Sequence, residues 1–220
     1  MEKYPNLKII THPLISHNLS IIRDKNTPSD LFRTYLRKVC EILVFEATKN
    51  LPLKETEIET PISKTKVEQL KDNIEIYVAL ILRAGLIFSS PFEENVPNIK
   101  VQHLGMERDK TTKQPIHYYN KLPEKFDGDK EIYVYICDPM LATGGSAIDA
   151  IKLYVKDRNI PQKNVVFINL VCCEEGVQKI FSQFPDVHII SAAFDEKLND
   201  DKFIVPGLGD AGDRIFNTFY

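Results

Sequence analysis

The stretch Glu131-Ile132-Tyr133-Val134-Tyr135-Ile136-Cys137-Asp138-Pro139-Met140-Leu141-Ala142-Thr143-Gly144-Gly145-Ser146 decides the fold. After Glu131 its first residues are apolar, β-branched or aromatic, the composition of a buried strand. From Ala147 to Lys156 the apolar residues Ile148, Ile151 and Val155 recur at helical spacing. Asp138 to Ser146 is therefore a loop that leads from a strand end to a helix start. Two adjacent glycines and the hydroxyls of Thr143 and Ser146 suit a backbone wrapped round a phosphate. Glycine permits unusual dihedrals and close approach, and the first helical N–H groups and the helix dipole attract an anion. Asp138 cannot bind phosphate, but it can accept hydrogen bonds from sugar hydroxyls. The local chemistry points to a phosphorylated sugar.

Similar elements lie on both sides. Ile74–Leu82, 164–173 and 187–193 are near-continuous apolar strands, most of them separated by helical segments, including one to about Glu94 and one over Glu174–Phe184. That alternation predicts an α/β fold: a central, mostly parallel sheet buried on both faces by flanking helices. In such sheets ligands bind at the carboxyl ends of the strands, where Arg83 and Asp138 stand. Further strands are expected at 7–11, 99–104 and 116–122. Thr27 suits a cap, Pro28 a first turn, and Leu31, Tyr35, Val39, Ile42, Leu43 and Ala47 form a helical stripe to about Thr48. His12 and His17 flank a loop, where capping or packing is expected of them. Thr56 to Ile62 alternates like a solvent-facing strand ending at Pro61. The polar, charged segment 105–115 reads as a flap over a ligand.

At 220 residues the chain is long enough for one α/β domain with a full core. Its net charge of −3, with interspersed signs, offers no broad basic surface and argues against nucleic acid as the main partner. No apolar run approaches the ~20 residues of a membrane span. Met1 to Asn6 is polar and lacks a signal-peptide core, so a cytoplasmic location is expected. Cys40, Cys137, Cys172 and Cys173 lie in apolar runs without metal-ligand spacing and read as small buried hydrophobes.

The tail reads Phe203-Ile204-Val205-Pro206-Gly207-Leu208-Gly209-Asp210-Ala211-Gly212-Asp213-Arg214. It matches G-x-G-x-x-G literally, but the chain ends before a following strand and acidic residue could complete a dinucleotide fingerprint. There is no G-x-x-x-x-G-K-[ST] either. The combination is more specific. With Leu82-Arg83-Ala84-Gly85-Leu86, Gly105-Met106-Glu107-Arg108, the 138–146 loop and the 206–214 tail in that order, the chain closely resembles the uracil phosphoribosyltransferases. The resemblance runs from His12-Pro13 to the tail. The loop alone indicates only a type I phosphoribosyltransferase; the tail makes the resemblance uracil-specific.

That resemblance implies one type I phosphoribosyltransferase domain over 1–220, with 194–220 and the N-terminal segment forming a small hood over the base. It implies transfer of the ribosyl phosphate of 5-phosphoribosyl 1-diphosphate (PRPP) to N1 of uracil, giving UMP and diphosphate. Asp138, Pro139, Met140, Leu141, Ala142, Thr143, Gly144, Gly145 and Ser146 would bind PRPP, with Asp138 on the ribose hydroxyls and Ala142 to Ser146 on the 5′-phosphate. Arg83 and Arg108 would hold the diphosphate, as suits a guanidinium fork. Asp210 would contact PRPP through Mg²⁺ carried by the diphosphate, with no direct protein metal site. Backbone groups of Ile204, Gly209 and Ala211, beside Asp210, would read uracil. Asp138, Arg108 and Asp210 are the expected catalytic residues. A GTP effector and a homodimer or homotetramer also follow from the family.

The chemistry agrees with that picture. The C1–O bond breaks with oxocarbenium-like charge, so catalysis is positioning and leaving-group stabilisation. No strong nucleophile is needed. His103, His117 and His188 lie on or beside strands, so no dedicated base is expected beyond the diphosphate, a carboxylate or water. Two residues depart from the family pattern. Ile87 puts bulk where relatives have glycine, and Glu107 puts a carboxylate where they have tyrosine. A catalytically weak or regulatory nucleotide-binding protein on the same fold is the alternative reading, and a transferase for another base such as a purine is a second.

Overall fold

The computed structural model describes residues 3–108, 115–126 and 128–219. In chain order its elements are β1 (Leu7–Ile9), α1 (Pro13–Arg23), α2 (Ser29–Thr48), β2 (Leu53–Glu59), β3 (Lys64–Leu70), β4 (Ile74–Leu82), α3 (Ser89–Asn95), β5 (Ile99–Arg108) and β6 (Pro115–Asn120). Then come β7 (Glu131–Cys137), β8 (Met140–Leu141), α4 (Gly145–Val155), β9 (Val165–Cys173), α5 (Glu174–Phe181), β10 (His188–Asp195), β11 (Lys197–Leu198), β12 (Ile204–Val205) and α6 (Ala211–Phe216).

The main sheet has the order β1-β10-β9-β7-β4-β5-β6, and β8 adds to β9. Its pairs are parallel except β5–β6. The chain turns to one side after β4 and to the other after β7, so the strand order reverses between these neighbours. Crevices for ligands open at such a reversal, outside the carboxyl ends of the strands. Arg83 and Asp138 follow directly on β4 and β7.

Both faces of the sheet are covered, as the near-continuous apolar runs require. On β4, Ile76, Val78 and Leu80 face one core, with Phe32, Leu36, Val39 and Leu43 of α2. Tyr77, Ala79 and Ile81 face the other, with Ile148, Ile151 and Tyr154 of α4 and Val177 and Ile180 of α5. The same period-two alternation runs through β7. In β9 it slips one residue: Leu170 and Val171 both face the α2 side, and both their N–H groups donate to Pro139 O, at 2.9 and 3.2 Å. No helix among the described residues is long and apolar enough to cross a membrane.

Several expectations change at the edges. His12 does cap: its Nδ1 accepts from Leu14 N at 3.1 Å. What it caps is α1, so His17 lies in a helix rather than beside a loop, edge-on to Tyr35. Pro13 at the first turn and buried Ile15, Leu19 and Ile22 explain that helix. Thr27 does not cap α2, which starts after Pro28 without a side-chain cap; its hydroxyl donates to Ile21 O at 2.6 Å. The strand expected over 56–62 covers Leu53–Glu59 and forms an antiparallel hairpin with β3. The strand after Ile99 runs to Arg108 and pairs with β6, so the first residues of the expected flap, and Pro115 at its end, belong to the sheet. Residues 109–114, the rest of that flap, lie outside the described residues, as do the side chains of Glu107 and Arg108. All four cysteines are buried and free, as expected.

Candidate active site

The 138–146 loop is stitched to its neighbours at nearly every step. Asp138 N donates to Ile168 O at 3.1 Å, Pro139 O takes the two β9 donors, and Met140–Leu141 pairs with Val171–Cys172 as β8. Pro139 and Leu141 are thereby buried under the loop as its frame. Gly144 caps α4 in the left-handed region, at φ 74°, a conformation that costs other residues about 1–2 kcal/mol. Beyond it the first-turn N–H groups of α4 have no acceptor within the helix, and they sit at the positive end of its dipole.

A cleft of about 360 Å³ opens over this loop at the β4/β7 reversal. Its walls come from four places: Ile81 to Ala84 at the end of β4, Met106 of β5, the loop, and the tail. Of the residues expected to bind, Arg83, Asp138, Met140, Ala142, Ser146, Ile204, Gly209, Asp210 and Ala211 all line it. Thr143, Gly144 and Gly145 complete the loop beside it. Arg108 ends β5 two residues beyond Met106, with its side chain outside the described residues. Met106, Lys202, Phe203 and Gly212 line the cleft without having been expected. Phe203 and Gly212 lie within the tail motif and were findable there. Lys202 has no motif, only a left-handed backbone (φ 67°) that the sequence does not announce. Ile87 packs toward the core beside Phe88 and does not reach the cleft, so its bulk is absorbed by packing.

Asp138 sits partly buried on the cleft floor. Desolvation there pushes its carboxyl up to about 7; the Met140 N–H, donating at 3.2 Å, pulls the other way, and Asp210 adds to the rise. Asp210 itself caps α6, accepting from Asp213 N at 2.9 Å through Oδ1. Its Oδ2 is left without a hydrogen bond among the described residues. Arg83 is half-exposed, with Nη2 on Asp213 Oδ1 at 3.1 Å and its guanidinium 5.7 Å over the Phe216 ring. No histidine among the described residues lines the cleft. His188 begins β10, at the opposite end of the sheet.

The cleft thus joins a glycine-containing loop at a helix start, the carboxylates of Asp138 and Asp210, the Arg83 guanidinium and the tail from Ile204 to Gly212. A family model described as uracil phosphoribosyltransferase matches residues 9–218. The chain is 44% identical over 210 residues to the uracil phosphoribosyltransferase of Dictyoglomus thermophilum, covering 96% of this chain and 98% of that one. It is 46% identical over 212 residues to the uracil phosphoribosyltransferase of Clostridium botulinum, covering 95% and 97%. Among solved structures, the AQ2163 protein of Aquifex aeolicus superposes with a TM-score of 0.84 at 37% identity, covering 96% of this chain and 97% of that one. The chain belongs to the uracil phosphoribosyltransferase family.

Proposed function

We propose that this family member transfers the 5-phosphoribosyl group of PRPP to N1 of uracil, releasing UMP and diphosphate, a pyrimidine-salvage reaction. The observation that carries the reading is the meeting, in one cleft, of the 138–146 loop with the main chain of Ile204, Gly209 and Ala211. The loop's N–H groups and the α4 dipole take the 5′-phosphate, and Asp138 accepts from the ribose hydroxyls. Arg83 and Arg108 hold the diphosphate. Main-chain donors and acceptors match uracil's O2, N3–H and O4, and leave a purine or an amino-substituted ring badly paired.

Bond breaking at C1 puts positive charge on the sugar and negative charge on the diphosphate, so the arginines act where charge develops. Among the described residues no group of three His, Cys, Asp or Glu side chains forms a metal cage. The Asp210 carboxylate, which lines the cleft, fits contact with Mg²⁺ carried by the diphosphate, an ion that takes few protein ligands. When bound, it neutralises the leaving group's charge. With no histidine among the described residues that line the cleft, the N1 proton leaves to the diphosphate, a carboxylate or water.

The whole of 1–220 serves as one catalytic unit, with 194–220 as its base-binding hood. The chain works in the cytoplasm, where four buried, unpaired thiols suit a reducing compartment. It assembles as a homodimer or homotetramer. The test is direct: protein, Mg²⁺, uracil and PRPP yield UMP, and no product above background overturns the reading in favour of a regulatory nucleotide binder. Arg108→Ala and Asp210→Asn each lower kcat/KM by about a hundredfold or more at unchanged Tm; near-normal kinetics would remove either residue from the site. Running the assay with and without GTP tests the effector role that the family implies.

A further inference from the structure

The tail turn has two sides. Ile204 and Gly209 to Gly212 face the cleft, while Gly207, between them, is held from behind by side chains that do not line it. Arg23, the last residue of α1, pairs with Asp195 at the end of β10 through Nη1–Oδ2 (2.8 Å) and Nη2–Oδ1 (2.7 Å). The same Nη1 donates to Gly207 O at 2.7 Å, and Asp195 Oδ2 accepts from Gly207 N at 2.8 Å. Both polar groups of one glycine are thus gripped by a single charge pair, whose carboxylate is buried. The turn is also tight: Gly207 has φ 58°, and a Cβ there would lie 2.1 Å from Ile204 O.

We propose that Arg23 and Asp195 are positioning residues for the acceptor base. By fixing Gly207 they set the distance and tilt between the main chain of Ile204 and that of Gly209, the two ends of the turn that face the base. The inference rests on the proposed uracil transfer. It differs from simple anchoring of the tail, which other contacts supply. Ile204, Leu208 and Ala211 are buried in the core. Arg214 donates to Leu208 O, Ile22 O and Asp24 O at 2.6–2.8 Å and stacks 4.2 Å over Phe32. Without the Arg23–Asp195 clamp the tail stays docked and the turn alone loosens. A small displacement of recognition groups is enough to weaken productive binding strongly.

The experiment is steady-state kinetics on the full-length protein, varying uracil and PRPP separately, for Arg23→Gln, Asp195→Asn, the double variant and Arg23→Lys. The expected result is a roughly ten- to hundredfold rise in KM for uracil, with KM for PRPP within about threefold of the unmodified protein. The double variant is expected to be no worse than the poorer single one, because both residues act through one turn. Arg23→Lys keeps a charge and a donor, and so recovers part of the loss. Equal rises in both KM values, or a fall in Tm with both KM values unchanged, would show a merely structural pair and overturn the proposal. If the single neutralised variants do not fold, Arg23→Lys alone decides, since it still loses the bidentate geometry. If the unmodified protein makes no UMP, the transferase reading has failed and the clamp's role in base recognition falls with it. An active protein with unmoved KM ratios sinks the clamp alone.

Discussion

Asp138 shows how one side chain carries opposing demands. In the proposed reaction its carboxylate accepts from ribose hydroxyls most strongly when ionised, yet desolvation on the cleft floor holds its carboxyl near 7. In the free protein it is therefore largely neutral below pH 7, and KM for PRPP is expected to rise as pH falls from 8 to 6, by up to about tenfold per unit. The sign for stability is opposite to that of a salt-bridged acid. A raised folded-state pKa means the fold prefers the neutral acid, so the ionised form destabilises the protein increasingly from about pH 4 to about pH 7 and constantly above. Asp138→Asn is expected to abolish most activity while raising Tm at pH 8, by about 2–4 °C per kcal/mol relieved, with the gain shrinking toward pH 4. Thermal melts across that range, together with kinetics, check both halves; a lower Tm at pH 8 would show that the carboxylate is stabilised by its surroundings after all. The place of Asp138 at a strand end was legible in the sequence, because an apolar run and a glycine pair bracket it. Its protonation was not, since both the burial and the charge of Asp210 that raise it come from residues far along the chain. The Arg83–Asp213 pair and Lys202 were hidden for the same reason: long-range pairing leaves no spacing to read.

The 138–146 loop shows the same principle among elements. Its underside rests on the first turn of α5. A Cβ on Gly176 would lie 2.6 Å from Ala142 O and 2.9 Å from Leu141 O. Beside it Cys173 donates from Sγ to Ala142 O at 3.4 Å, and burial pushes that thiol up to about 11, so it keeps its proton at neutral pH. Gly176→Ala is therefore expected to displace loop backbone, raising KM for PRPP by roughly tenfold or more with little change in KM for uracil. That pattern mirrors the one expected at Arg23, and the same kinetics reads it; an unchanged KM for PRPP would mean that α5 yields instead of the loop. Legibility among the elements followed burial. β4, β7 and β9 are near-continuous apolar runs, each broken by a single polar residue, and are plain in the sequence. β3 carries Lys64, Lys66, Glu68 and Gln69, an exposed strand whose pairing with β2 only the fold reveals. α6 has six residues, too few to show a helical period.

For the whole molecule, alternating apolar strands and helices announce a parallel sheet, but the strand order, and hence the β4/β7 crevice, depends on which way each crossover turns. The β2–β3 hairpin stands apart from that sheet as a two-stranded sheet of its own, closed at its base by Lys71 N donating to Pro52 O at 3.1 Å. Such a hairpin is marginal in water unless its face is covered. Its exposed cross-strand pairs, Lys66–Glu55 at 2.7 Å and Lys64–Glu57 at 3.8 Å, contribute little at the surface. Ile62 at the tip is 93% exposed and Leu53 at the base 47%. These features suit a strand pair that docks on a second copy of the chain, the assembly proposed above. Because Leu53 and Leu70 are register partners, residues 54–69 can be replaced by a two-residue Asn-Gly turn that closes the strand ends. The shortened protein is expected to keep its Tm within a few degrees as a monomer, while the full-length chain runs as a dimer or larger in size-exclusion chromatography with light scattering. A full-length monomer would remove the assembly from the proposal. An unchanged oligomer after the deletion would place the contact elsewhere on the molecule, and the hairpin would then have to be stable on its own strands alone.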